Sequence, residues 1–286
     1  MLSARQDCQP ELRNWRGENM ITSRHRSVVV RLLLSPLLLL VAAPLGAQEA
    51  APAPGSPAVA QVISPEAQAV LDRMTAFLKS QKTFSIDSQS TRDEVVAFGY
   101  KLQNNEHATL TAQLTNKLRV EVSGDDRERT FIYDGATLTM YSPDDEAYTQ
   151  IKAPDTIGKL VDRLLGAGIE MPMIDMLYQI HQGSLTEAVR GGVLVGDSNI
   201  DGTDCDHLAF RQGNIDWQLW VAQGDKPVPR RLLVTTRYEV GDPQYQVTMR
   251  WNLNPKVDAS TFAFTPPKGA NKIPFSDPNA LIDAAP

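Results

Sequence analysis

Successive short segments in which apolar and polar residues alternate with a period of two constrain this chain more than any other feature. In "HATLTAQLTNKLRVEVSG", Leu110, Ala112 and Leu114 alternate with Thr109, Thr111 and Gln113. After a turn near Asn116-Lys117, Leu118, Val120 and Val122 alternate with Arg119 and Glu121. Side chains of a strand point to opposite faces in turn, so each segment has one greasy face and one wet face, as in an antiparallel sheet covered on one side. Gly124-Asp125-Asp126 and Ser142-Pro143-Asp144-Asp145 read as further turns. Between them, "FIYDGATLTMY" doubles back at Asp134-Gly135, where glycine supplies the positive φ that a tight hairpin needs.

Helical spacing brackets these strands. "SPEAQAVLDRMTAFLKSQ" opens with Ser64 as N-cap, Pro65 at the first helical position and Glu66 in the first turn. Ala67, Val70, Leu71, Met74, Phe77 and Leu78 then share one face. "DTIGKLVDRLLGAGI" puts Ile157, Leu160, Val161, Leu164 and Leu165 on one stripe, ended by Gly166 and Gly168. "MPMIDMLYQIHQG" starts another helix near Pro172, with Met173, Ile174, Leu177 and Ile180 inward. Strands return from Val193. "NIDWQLWVAQGDKPVPRRLLVTTRY" is a hairpin, and in "YQVTMRWNL" Tyr245, Val247, Met249, Trp251 and Leu253 alternate with polar residues. The order is helix, strands, two helices, strands, which is α+β with an antiparallel sheet and segregated helices.

Before the first helix, Arg24, His25 and Arg26 precede an apolar run, Val28 to Leu45, whose uninterrupted part has the length of a signal-peptide core. That part is shorter than the roughly 20 residues of a membrane span. Cleavage after Ala47 is expected, so residues 1–47 read as leader and signal peptide, with Met20 as an alternative start. Residues 48–63 are an Ala/Pro-rich flexible spacer, 64–273 one domain and 274–286 a polar tail. The expectation is a periplasmic monomer without a stable membrane anchor. Losing six arginines and three carboxylates with the leader deepens the net charge from −6 to −9. Nucleic acid is bound through Lys/Arg excess and is not an expected partner. Cys205 would be the only remaining cysteine, so no intramolecular disulfide forms and the core must hold the fold.

"YDGATLTMYSP" resembles the DG-x-x-L-x-x-Y-x-P hairpin of periplasmic lipoprotein carriers of the LolA/LolB-like fold, and "FAFTPPKGA" resembles their closing F-x-F-x-P-P-x-G strand. Over most of Pro65 to Ile273 the chain is more similar to an uncharacterised family of predicted periplasmic proteins, through "CDHLAFR", "DWQLWV" and "PVPRRLLVT". The resemblance implies a strongly curved antiparallel sheet, an open β-barrel, with the N-terminal helix and two mid-chain helices covering its mouth. It also implies a cavity that takes acyl chains, with a lipid or acylated protein as partner; no phosphate loop or dinucleotide fingerprint is present, and no cofactor is expected.

The expected cavity and lid residues are Leu160, Leu164, Met171, Met173, Leu177, Trp217, Leu219, Met249 and Trp251. Thioethers repack cheaply around variable ligands, although ordinary core packing explains methionines as well. Trp217 should point inward with Ile215, Leu219 and Val221, and Trp220 outward beneath the N-terminal helix. No metal set is recognisable around Cys205, Asp206 and His207. Cys205 and His207 share a strand face, which leaves a thiol-dependent enzyme as a minor alternative to a non-catalytic binding protein. An envelope interaction or stress-sensor module of the same fold is another. The acidic pairs Asp125-Asp126 and Asp144-Asp145, and Asp225 near Asp216, read as solvated turns.

Overall fold

The computed structural model describes residues 62–125, 128–166, 172–183 and 185–275. The leader, the spacer up to residue 61, Gly168, Met171 and the tail from residue 276 lie outside the described residues. Three helices occur among the described residues: α1 (Pro65–Ser80), α2 (Ile157–Gly166) and α3 (Pro172–Gln182). The strands before α2 are β1 (Val62–Ile63), β2 (Thr83–Val95), β3 (Lys101–Gln113), β4 (Lys117–Gly124), β5 (Glu128–Tyr133), β6 (Thr137–Ser142) and β7 (Ala147–Lys152). After α3 come β8 (Gly191–Ile200), β9 (Thr203–Arg211), β10 (Ile215–Ala222), β11 (Pro229–Thr236), β12 (Gln244–Asn252) and β13 (Asn271–Lys272).

All thirteen strands form one sheet in the order β1-β8-β9-β10-β11-β12-β2-β3-β4-β5-β6-β7-β13. Pairing is antiparallel except at its two ends, where β1 and β13 add parallel. The ends do not pair with each other, so the sheet stays open. Laid flat, thirteen strands at ~4.8 Å spacing would extend nearly 60 Å. Yet residues from α1, α2, α3 and the strands from β2 to β12 share one buried cluster. A 16-residue helix is only about 24 Å long. The sheet therefore curls around the helices, with Trp217, Leu208 and Phe210 on one limb and Ile86, Leu110 and Val120 on the other.

Local sequence explains the elements. Ser64 Oγ accepts from Ala67 N at 3.3 Å, and Pro65 follows at the first helical position. Ala67, Val70, Leu71, Met74 and Leu78 are buried, and Arg73 Nη2 donates to Asp206 Oδ2 on β9 at 2.8 Å. In α2 the buried stripe is Leu160, Val161 and Leu164, while Leu165 is 40% exposed, contrary to its expected inward place. Ten residues present a narrow apolar face, and Leu165 sits at its edge.

Val62 and Ile63, read from the sequence as spacer, pair with Gly191 and Gly192 as β1. Gly192 is needed there because a Cβ would stand 2.5 Å from the Phe210 ring, which stacks on Trp217 at 4.1 Å. The expected closing strand in "FAFTPPKGA" does not form. Ala259–Phe262 is a 3₁₀ turn capped by Asp258, and only Asn271–Lys272 pairs, with β7. Pro266 and Pro267 lack the N–H donors that a ladder requires.

At the meander hairpin, Asp134 Oδ1 accepts from Ala136 N and Thr137 N at 2.9 and 2.8 Å, and Gly135 has φ +103°. A Cβ on Gly135 would lie 2.8 Å from Asn116 Nδ2. Gly135→Ala is expected to lower stability by about 1–2 kcal/mol in urea unfolding, because the strained φ and the contact act together.

On the wet face, Arg211 Nε and Nη2 each donate to the Asp216 carboxylate at 2.8 Å, with Arg237 Nη1 at 3.5 Å. Arg211's hydrogen bonds, opposed by burial and helped by the charges of both arginines, hold the Asp216 carboxyl below its ordinary 3.8. A depressed carboxyl stabilises the fold above its unfolded value and loses that contribution as pH falls through its folded value. Asp216→Asn should cost up to about 1 kcal/mol at pH 7, given the pair's exposure. The gap from wild type should close below pH 3.8 in acid titrations of stability.

Candidate functional site

Most of the concave face is filled by the helices, but one part is not. A cavity of about 550 Å³ opens between β2–β4, the end of α1 and the two mid-chain helices. Its floor is apolar: Phe84 from β2, Leu110 and Ala112 from β3, and Leu118 from β4, all buried. Alternation on β2 to β4 delivers these four to the same face, with Phe84 directly opposite Ala112 and Ala112 opposite Leu118. Ile174 and Leu177 of α3 and Ile157 at the start of α2 form the roof. Lys79, Lys82, His181 and Gln182 line the cavity and are exposed, so they form its rim.

The two roof helices are joined at Tyr178, whose hydroxyl donates to Asp162 Oδ1 at 2.5 Å. That hydrogen bond, with burial adding to it, pushes the phenol up from its ordinary value. A Cβ on Gly158 would stand 3.2 Å from the Tyr178 ring, so the absence of a side chain lets the helices approach. At the rim, burial of the ring nitrogens and then the nearby Lys79 charge pull His181 below the ordinary imidazole value of 6.5.

Of the residues expected to surround a ligand, Leu177 lines this cavity. Leu160, Leu164, Met173, Trp217, Leu219 and Met249 are buried in the main core cluster, and Trp251 packs half-buried against it, its ring 5.3 Å from that of Phe84. Met171 lies outside the described residues. Phe84, Leu110, Ala112, Leu118, Ile174 and the basic rim were not expected as site residues. Their signal was present in the alternation of β3 and β4, but alternation gives a side chain's face and not the depth of space above it.

Trp217 points inward as expected, 5% exposed. Trp220 occupies the opposite face of β10, yet α1 does not cover it. It is buried by Ile200, Cys205 and Leu233 on its own face, stacks on His207 at 4.2 Å and donates from Nε1 to Ser198 Oγ at 3.2 Å. Burial pushes the Cys205 thiol up, opposite to what a nucleophile needs. Its Sγ donates to Thr203 O at 3.3 Å, while His207 Nε2 is engaged with Gln218 Oε1 at 2.9 Å. Alkylation of Cys205 by iodoacetamide at pH 7.5 should therefore be at least about 100-fold slower in the folded protein than in denaturant. Comparable rates would restore the thiol-enzyme alternative.

Of the acidic turns, Asp126 lies outside the described residues, while Asp125 and Asp144 hold backbone N–H groups. Asp125 Oδ2 accepts from Asn105 N at 2.7 Å and Asp144 Oδ2 from Glu128 N at 2.8 Å. Among the described residues no His, Cys, Asp or Glu group could hold a metal ion, and no helix is long and apolar enough to cross a membrane.

The family described as "Predicted periplasmic protein (DUF2092)" matches residues 67–276, from the first turn of α1 to beyond β13. The chain belongs to this family. That places it among predicted periplasmic proteins, in agreement with the compartment implied by its apolar N-terminal run. No curated protein matches the sequence. Similar solved structures include LprF from Mycobacterium bovis, with 14% identity over 73% of this chain and 99% of that one and a TM-score of 0.45. The Mycobacterium tuberculosis lipoprotein LppX has 14% identity over 68% and 100%, TM-score 0.43. A LolA superfamily protein from Nitrosomonas europaea has 11% identity over 69% and 97%, TM-score 0.31.

Proposed function

We propose that this protein is a non-catalytic periplasmic carrier that holds the acyl chain of a lipid or of a lipidated partner between β2–β4 and the roof helices. One observation carries the reading: the cavity of about 550 Å³ has a floor and roof of Phe, Leu, Ile and Ala. An engineered apolar cavity of about 150 Å³ takes one benzene, so this one has room for roughly twenty carbon atoms. Each methylene removed from water contributes about 0.8 kcal/mol, and ten would give about 8, the scale of micromolar affinity before ordering costs. Entry and release would pass the rim, with α3 moving against α2 at the Tyr178–Asp162 contact.

Organic extraction of protein purified from native envelopes, followed by mass spectrometry, tests the reading. Near-stoichiometric acyl lipid is expected. Repeated absence, together with no uptake of added lipid, would refute it.

A second reading, an envelope interaction module, is favoured by a different observation. Phe98 and Tyr100 at the β2–β3 tip are 99% and 68% exposed, and Tyr238 and Val240 at the adjoining β11–β12 tip are 78% and 74% exposed. Large apolar residues clustered in water commonly mark a contact surface. The tips stand at the far end of β2 from Phe84, ~37 Å along the strand. Phe98→Ser with Tyr238→Ser thus separates the readings: a pure carrier keeps its lipid, whereas an interaction module loses its partner.

A further inference from the structure

The cavity described above has a charge of one sign. Among the described residues its lining contains no Asp or Glu, although carboxylates outnumber Lys and Arg by 34 to 28 in the chain. The titratable groups at its exposed edge are Lys79, Lys82 and His181. Lys79 occupies the last turn of α1 and its ammonium reaches the end of α3, 4.0 Å from where a Gly183 Cβ would stand. Lys82 lies beyond the helix cap, beside the first residue of β2. A preference for cations at helix C-termini accounts for Lys79 and His181. It accounts neither for Lys82 nor for the lack of carboxylates among the described lining residues. Neither lysine is in an ion pair among the described residues, whereas Arg73, Lys101, Arg119, Lys159 and Arg211 all are.

We propose that the site selects single-chain anionic amphiphiles, fatty carboxylates or single-chain phosphate-bearing lipids, with the tail against Phe84, Leu110 and Leu118 and the head at Lys79 and Lys82. This rests on the acyl-chain reading and adds the head group to it. The room for roughly twenty carbons suits one chain and not two. A carboxylate or phosphate at the rim would gain charge-assisted hydrogen bonds from ammonium groups that have no ion pair among the described residues, while its tail lies against the apolar floor. A neutral head gains none of this. The shared requirement is a negative head joined to one tail, and a free anion lacks the part that the cavity holds.

The test is titration of the delipidated protein with dodecanoate, dodecyl phosphate and dodecanol, and with inorganic phosphate as competitor. Both anionic amphiphiles should bind about tenfold more tightly than dodecanol at low salt, and the preference should shrink as salt rises. In the Lys79→Glu/Lys82→Glu variant the ratio of acid to alcohol affinity should fall to one or below, while Lys79→Arg/Lys82→Arg should keep it above one. Inorganic phosphate should not compete. Equal affinity for dodecanol and dodecanoate would overturn the head-group inference and leave the acyl-chain reading standing. Competition by inorganic phosphate as strong as by dodecyl phosphate would also overturn it, by making the rim a plain anion site. No binding of any of the three amphiphiles would remove both.

Discussion

Ala112→Trp is expected to weaken acyl-chain binding by at least about 100-fold, because an indole at this position fills the space the tail needs. Ala112 is 2% exposed, sits on β3 between Phe84 and Leu118 across the ladder, and forms part of the cavity floor. Overfilling a packed interior usually costs 1–3 kcal/mol. Here the added volume enters a void of about 550 Å³, so the thermal midpoint should change by only a few degrees. Affinity is read by displacement of a fluorescent fatty acid and folding by circular dichroism on the same samples. A variant that folds and still binds with wild-type affinity would place the ligand elsewhere.

The second large effect concerns the part of the concave face that is full. Met74 is 0% exposed on α1 and belongs to the same buried cluster as Trp217, Leu219 and Met249. Met74→Ala should lower the unfolding free energy by about 2–5 kcal/mol, through lost transfer energy and the hole left behind. Urea denaturation with an unchanged slope would attribute the loss to the folded state. A cost below ~1 kcal/mol would mean that α1 is a loosely seated cover and not the filling of the barrel.

These two substitutions mark the boundary that sequence patterning could not draw. Alternation told which side of each strand is greasy, and it placed Trp217, Leu219, Met249, Leu110 and Leu118 correctly on inward faces. It could not tell that all five share one buried cluster with α1, while only Leu110 and Leu118 among them also line the cavity. That distinction depends on how far a thirteen-strand sheet curls and on where a helix seats, both long-range properties. The caps of α1 were legible because capping is local: Ser64, Pro65 and Glu66 act within one turn. Trp220 shows the opposite case. Its outward face followed from alternation, but its cover comes from Ile200, Cys205 and Leu233 on three other parts of the sheet, set by register. The basic rim was hidden for the same reason, since Lys79, Lys82 and His181 come together only when α3 folds back beside the end of α1.

The long β2–β3 hairpin was only half visible. Its inner residues alternate, with Phe84, Ile86 and Ser88 buried, while Lys101 to His107 on β3 are exposed or half-exposed and polar apart from Leu102. No hydrophobic period marks such a projecting ladder, which is held mainly by its backbone pairs and by contacts such as Asp93 with Lys101 at 3.0 Å.

A crystal structure of the protein with a fatty acid brominated near its tail end addresses the central claim without intermediaries, since bromine scatters anomalously and locates itself. The account predicts a bromine peak between β3 and α3, within van der Waals reach of Ala112 and Leu177. A peak only at the exposed tips around Phe98 and Tyr238, or an empty cavity in a protein saturated with the acid in solution, would contradict it.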